Sequence, residues 1–173
     1  MAAGDISIYR AGANLLTTTA SVASGTVASI SSGEPTKPSG ATASVTGAVV
    51  LLADGDPTTV GTATNTHFAG LAKSNSNETA SAADTVTLWA PMSGILYAAK
   101  AKSAAAVDTQ AEIIALLNKR VVLDLTSSTF TVDTAATDAI TNGVIIYGGE
   151  PASNLVFFAI SPMVTVFSTG AGT

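Results

Sequence analysis

No cysteine occurs among the 173 residues. That excludes a disulfide framework, a CxxC redox pair and any thiolate metal site. Charge is scarce too: Asp, Glu, Lys and Arg make up 11% of the chain, against roughly 25% in ordinary soluble domains. Only seven residues are basic and the net charge is −5. The clustered Lys and Arg that hold a phosphate backbone are therefore missing, and nucleic acid is not an expected partner. Aromatics supply 5% of the chain, which leaves few large anchors for a core. No apolar run approaches the ~18–20 residues that span a bilayer. The best candidates, 49–53 and 155–160, are strand-sized. The opening MAAGD has no basic n-region, so the expectation is a chain without a secretory leader, folded in the cytoplasm where it is made.

What is present is apolar but small. The hydrophobic fraction is 47% and the mean hydropathy +0.44, the reverse of the charged, water-loving composition of disordered chains. Ala and Thr together supply about a third of the residues. At 17.1 kDa the chain is one ordinary domain, or a domain with an arm. With so few charges its surface must be wetted by Thr, Ser and Asn. Such a surface resists association poorly, which suits a protein covered by partners.

The pattern along the chain is mainly β (α+β). In 5–10, Ile6 and Ile8 alternate with Ser7, as in a half-buried strand. After Leu15 and Leu16, the stretch to residue 30 holds only Val22, Val27 and Ile30 as sizeable apolar side chains within its Thr, Ser and Ala, and 31–40 (SSGEPTKPSG) reads as a turn or exposed linker. Val49 to Leu52 form a further apolar run, closed by the turn-forming Asp54-Gly55-Asp56-Pro57. Residues 1–57 therefore read as an extended N-terminal arm, or as strands too slight for a core of their own. They are expected to complete a sheet in the rest of the chain or in a neighbouring subunit. Residues 58–173 read as a compact β-sandwich or barrel-like domain, with strands at 67–73, 85–89, 94–101, 121–125, 129–132, 144–147, 155–160 and 164–167. Asn142-Gly143 and Gly148-Gly149 bracket the 144–147 strand, which reads as short and fully buried.

One short helix is expected, at about 108–118. Thr109 and Glu112 have capping-box spacing, Ile113, Ile114, Leu116 and Leu117 supply apolar faces, and Lys119 and Arg120 follow at the end favoured by the helix dipole. Three turns are marginal alone in water, so the helix must pack on a sheet.

Chemistry is hard to find. His67 lies in a strand-like segment with no partner identifiable by spacing, and reads as a hydrogen-bonded structural histidine. Asp54 and Asp56 begin like a calcium loop, but the twelfth position is Asn65 where a carboxylate is needed. Asp108 with Glu112, and Asp133 with Asp138, have the form of acid–base pairs; helix capping accounts for the first and loop solvation for the second. No G-x-S-x-G elbow, Walker loop or Rossmann fingerprint occurs. Lys100 and Lys102 read as guards of a strand edge, and Trp89 as a core anchor or subunit contact. Asn77-Glu78-Thr79 matches a glycosylation sequon without a secretory context. No catalytic, cofactor-binding or metal-ligating residue is assigned, and neither a cofactor nor a small-molecule substrate is expected.

Three segments resemble small structural proteins of tailed bacteriophages, those that decorate the capsid exterior. They are 69–102 (AGLAKSNSNETASAADTVTLWAPMSGILYAAKAK), 108–125 (DTQAEIIALLNKRVVLDL) and 131–151 (TVDTAATDAITNGVIIYGGEP). Together they cover about half the chain. The resemblance implies a non-enzymatic cement, or head-stabilising, protein on the virion exterior. It would bind the major capsid protein, bridge neighbouring capsomers and assemble as a homotrimer after synthesis in the host cytoplasm, with no membrane partner. The alternative in the same structural class is a fibre, tail or baseplate component for host attachment, although a fibre should show a long repeat and none is found. A small glycan hydrolase is the third reading and has the least to support it.

Overall fold

The structure is a computed structural model that describes residues 6–11, 15–22, 30–38, 48–51, 68–77, 82, 84–126, 129–140 and 142–162. The described residues are mainly β with one α-helix. The strands are β1 (Ile6–Arg10), β2 (Thr17–Val22), β3 (Pro35–Pro38), β4 (Ala48–Leu51), β5 (Gly70–Ala72), β6 (Asp84–Trp89), β7 (Leu96–Lys100), β8 (Arg120–Thr126), β9 (Thr129–Asp133), β10 (Val144–Glu150) and β11 (Leu155–Ile160), with helix α1 (Gln110–Leu116) between β7 and β8. None of the described helices is long and apolar enough to cross a membrane.

Two sheets form. β2, β4, β3, β5 and β6 close into a five-stranded barrel in which only β2 and β4 run parallel. A barrel this narrow admits only modest side chains, and its interior is lined by Ala20, Ile30, Ala69, Ala72, Val86 and Leu88. The shortage of bulk before residue 57 is thus matched to the geometry. The second sheet has six strands in the order β1, β7, β11, β10, β8, β9, all antiparallel. It curls on itself. The Ala101 amide donates to Asn154 beside β11, whereas the next amide, Lys102, donates to Val132 of β9 at 2.9 Å. Successive amides point to opposite edges of a strand, so β9 reaches the same edge of β7 that β1 occupies further along. The strands drawn from residues 1–57 are members of these two sheets: β1 pairs with β7 and β2 with β6.

The main core lies inside the curl. Alternation sends Tyr97, Ala99, Val121, Leu123, Phe130, Val132, Val144, Ile146, Val156 and Phe158 inward. Phe68, Leu71 and Trp89 of the barrel side join the same cluster, so the two sheets share it. Tyr97 sits at this junction, stacked on Phe158 at 5.7 Å and edge-on to Phe68 at 6.4 Å. Its buried hydroxyl makes no hydrogen bond, and burial pushes its pKa upward. An unpaired buried hydroxyl carries a desolvation cost without the compensating bond. Tyr97→Phe is therefore expected to be neutral or to stabilise by up to about 1 kcal/mol. Urea unfolding tests this, and a clear loss of stability would show that the hydroxyl has a partner.

Helix α1 forms where the capping box lies. The Thr109 hydroxyl accepts from the Glu112 amide, and Glu112 accepts from the Thr109 amide at 3.0 Å. Its Ile113 is buried in the main core, with Leu116 half-buried beside it.

Two expectations need correction. The 31–40 segment is no free linker: β3 crosses it and Thr36 is buried, its hydroxyl donating to the Gly70 carbonyl at 3.2 Å. The two prolines stand at the first and last positions of the strand, where a missing amide disturbs the ladder least. The strand read as 144–147 runs on through both glycines to Glu150, and it is not fully buried, since Tyr147 is 53% exposed. A β-bulge between Ile146 and Gly148 lets the ladder continue past the glycines. The expected strand at 164–167 lies outside the described residues.

Candidate functional site

The residues singled out from sequence do not converge. His67, Asp54 and Asp56 lie outside the described residues, as do Glu78 and Thr79 of the sequon. Asp108 and Glu112 do meet, as a hydrogen-bonded pair at the start of α1. Glu112 holds its pKa below the usual range through the Thr109 hydroxyl and amide and through Asp108, and it raises Asp108 in turn. This is a cap with a neighbouring carboxyl attached. Asp133 and Asp138 are separated in task as well as sequence. Asp133 accepts from Lys102 at 3.0 Å and from the Ala135 amide at 3.1 Å, while Asp138 accepts from the Arg120 amide at 3.0 Å. Loop solvation is therefore replaced by structural bonding for both.

The lysines are corrected too. β7 lies between β1 and β11, so it is no edge strand. Lys100 donates to the Ser153 carbonyl, and Lys102 bridges Asp124 at 2.8 Å and Asp133 at 3.0 Å. Those two carboxylates raise the Lys102 pKa. An ammonium so stabilised is a poor nucleophile or base; its geometry fastens the end of β7 to the hairpin of β8 and β9. A cleft of about 540 Å³ opens beside it, lined by Lys102, Ser103, Leu116, Asp133, Thr134 and, from the 3-10 turn Ala104–Ala106, by Ala106. Among the described residues no group of three or more His, Asp or Glu is placed to hold a metal ion. Trp89 is a core contact, half-buried, with the Lys73 ammonium 4.5 Å from its ring centre.

Asn142 is a structural residue that spacing alone did not reveal. It is buried, and its side-chain amide donates to the carbonyls of Thr137 at 2.8 Å and Arg120 at 3.2 Å. Asn142→Ala leaves both acceptors short of a donor and should cost about 2 kcal/mol. Denaturant unfolding measures this directly; an unchanged midpoint would mean that water replaces the side chain.

The more informative surface is the outer face of the six-stranded sheet. Phe157 alternates with the buried Val156 and Phe158, so it points outward. Tyr9 of β1 stacks on it with ring centres 4.0 Å apart and planes within 13°. Ser7 pairs with Ala98 and Ala98 with Phe157, so a small residue lies in the row between the two rings' strands. On the far side Ile145 pairs with Ala159, and Tyr147 stands exposed next to Gly148, the partner of Phe157. This face thus carries Tyr9 of the terminal strand β1 and Phe157, Ala159, Ile145 and Tyr147 of the central strands β11 and β10, with Arg120 and Lys100 at its border as the pair partners of Ile145 and Leu155. Sequence reasoning passed over it, though a signal existed: the run 155–160 is apolar at every position, and a strand cannot turn both faces to one core.

No family model, curated protein or solved structure matches the chain.

Proposed function

We propose that the chain is a virion structural protein that decorates the outer surface of a tailed-phage head and cements it by bridging capsomers. The observation that carries this reading is the aromatic and aliphatic patch on the outer face of the six-stranded sheet, formed by the Tyr9 and Phe157 stack with Tyr147 and bordered by Arg120 and Lys100, the pair partners of Ile145 and Leu155. Large exposed apolar patches mark interaction surfaces, and Tyr is among the residues favoured at the energetic centre of protein contacts. The three sequence segments that resemble decoration proteins support the same reading. On it, the major capsid protein meets this face, and copies of the chain associate with one another as homotrimers. Each contact can be modest, since a lattice of many copies supplies avidity.

The test mixes purified full-length chain with expanded heads lacking decoration and follows cosedimentation and heat release of the contents. Saturable binding with a raised disruption temperature is expected. A stable monomer that leaves the heads unprotected would overturn the proposal. Binding to host cells in place of heads would favour the fibre, tail or baseplate reading.

A further inference from the structure

We propose that the outer face of α1 pairs with α1 of a second copy, antiparallel about a twofold axis. A surface helix ordinarily turns a charged or polar stripe to water, and one that is apolar all round is a helix that gets covered. α1 carries Gln110 and Glu112 in its first turn, but the stripe opposite the core is apolar. Ile113 and Leu116 face the main core, while the opposite side presents Ala111, Ile114 and Ala115, with Leu117 just beyond. Ile114 is 58% exposed and Leu117 41%.

The charges sit at the two ends, and they say what the partner is. Asp108 and Glu112 stand at the start of the helix, and among the described residues neither has a cationic partner. Lys119 and Arg120 follow its end, held on the uncharged carbonyls of Thr134 and Asn142. One end is thus acidic and the other basic, and among the described residues no ion pair joins either end to an opposite charge. A second α1 laid antiparallel sets each acidic end against the other's basic end and brings the two Ile114 side chains onto the shared apolar strip. The opposed helix dipoles favour the same arrangement. Ala111 and Ala115, four apart, keep the centre of the strip shallow enough for close approach.

The contact is small. Seven residues span roughly 10 Å, less than a stable free-standing interface requires. It therefore forms weakly in dilute solution and gains strength where copies are held side by side. Being isologous, it joins copies in pairs; a threefold assembly leaves it free to link one trimer to the next. The pairing does not depend on the capsid reading.

The chain has no cysteine, so one introduced thiol reports one position. Full-length Ala115→Cys under mild oxidation should form disulfide-linked dimers about tenfold faster than Ala152→Cys, an exposed control in the turn between β10 and β11. Adding Ile114→Asp, or Ala111→Glu as a second disruption, should return the rate to that of the control, and high salt should slow it. Thermal unfolding establishes that each variant is folded. Equal rates for Ala115→Cys and Ala152→Cys would overturn the proposal. So would loss of head binding by Ile114→Asp without cross-linking at position 115, since the face would then belong to another protein.

Discussion

Tyr147→Asp is expected to lower affinity for expanded heads by about a hundredfold and to leave the fold intact. The side chain is 53% exposed on the outer face of β10, so the free protein loses little packing. On the proposed reading the same position is covered in the complex. A Tyr at the centre of an interface supplies a large rigid contact, and truncating such an anchor typically costs more than 2 kcal/mol. The introduced carboxylate adds a further cost, because its neighbours Ile145 and Ala159 offer it no partner once water is expelled. Cosedimentation gives the affinity and a melting curve the stability. Weakened binding at an unchanged Tm supports the outer face as the contact with the shell. Full affinity would move the contact to another surface.

Gly149→Ala should destabilise the chain by about 3 kcal/mol, at the upper end for a methyl forced into a filled core. A Cβ on Gly149 would lie 2.5 Å from Ile113 Cδ1 and 2.6 Å from the Leu155 carbonyl oxygen. The isoleucine tip can turn away, but the carbonyl belongs to the ladder of β10 and β11, in which Gly149 pairs with Val156 and Glu150 with Leu155. Relief therefore requires the helix and the strand end to part. For a chain of this length the Tm should fall by roughly 6–12 °C. Gly148→Ala is the matched control, since its nearest neighbour is a Phe157 ring carbon at an ordinary 3.6 Å. If both variants melt together, the close approach of α1 to β10 is not what holds the helix.

The same pair of glycines shows where sequence reading stopped. Gly148-Gly149 looks like the end of a strand, because glycine weakens strands and favours turns. In the structure the strand continues, and Gly149 is there because Ile113 occupies the space of its missing side chain. That requirement comes from a residue 36 positions earlier, and no local pattern carries it. Lys102 is a similar case. Its spacing from Lys100 suggests a guarded edge, while its partners Asp124 and Asp133 arrive from two later strands. The capping box behaved differently. Thr109 and Glu112 are three residues apart, their reciprocal bonds are local, and the helix stands where they place it.

The sequence by itself determined what depends on neighbours in the chain. It settled a mainly β architecture and the position of the helix at the capping box. The absence of cysteine and the low charge were also decided there, with the chemistry they exclude. Tertiary structure alone decided which strands meet. It closed a five-stranded barrel around small side chains from segments that lack bulk, and it set Tyr9 on Phe157 from opposite ends of the chain. The physical reason is range. Periodicity and capping act over a few residues, whereas sheet order and the composition of an outer face depend on contacts that the chain makes only after it has folded back on itself.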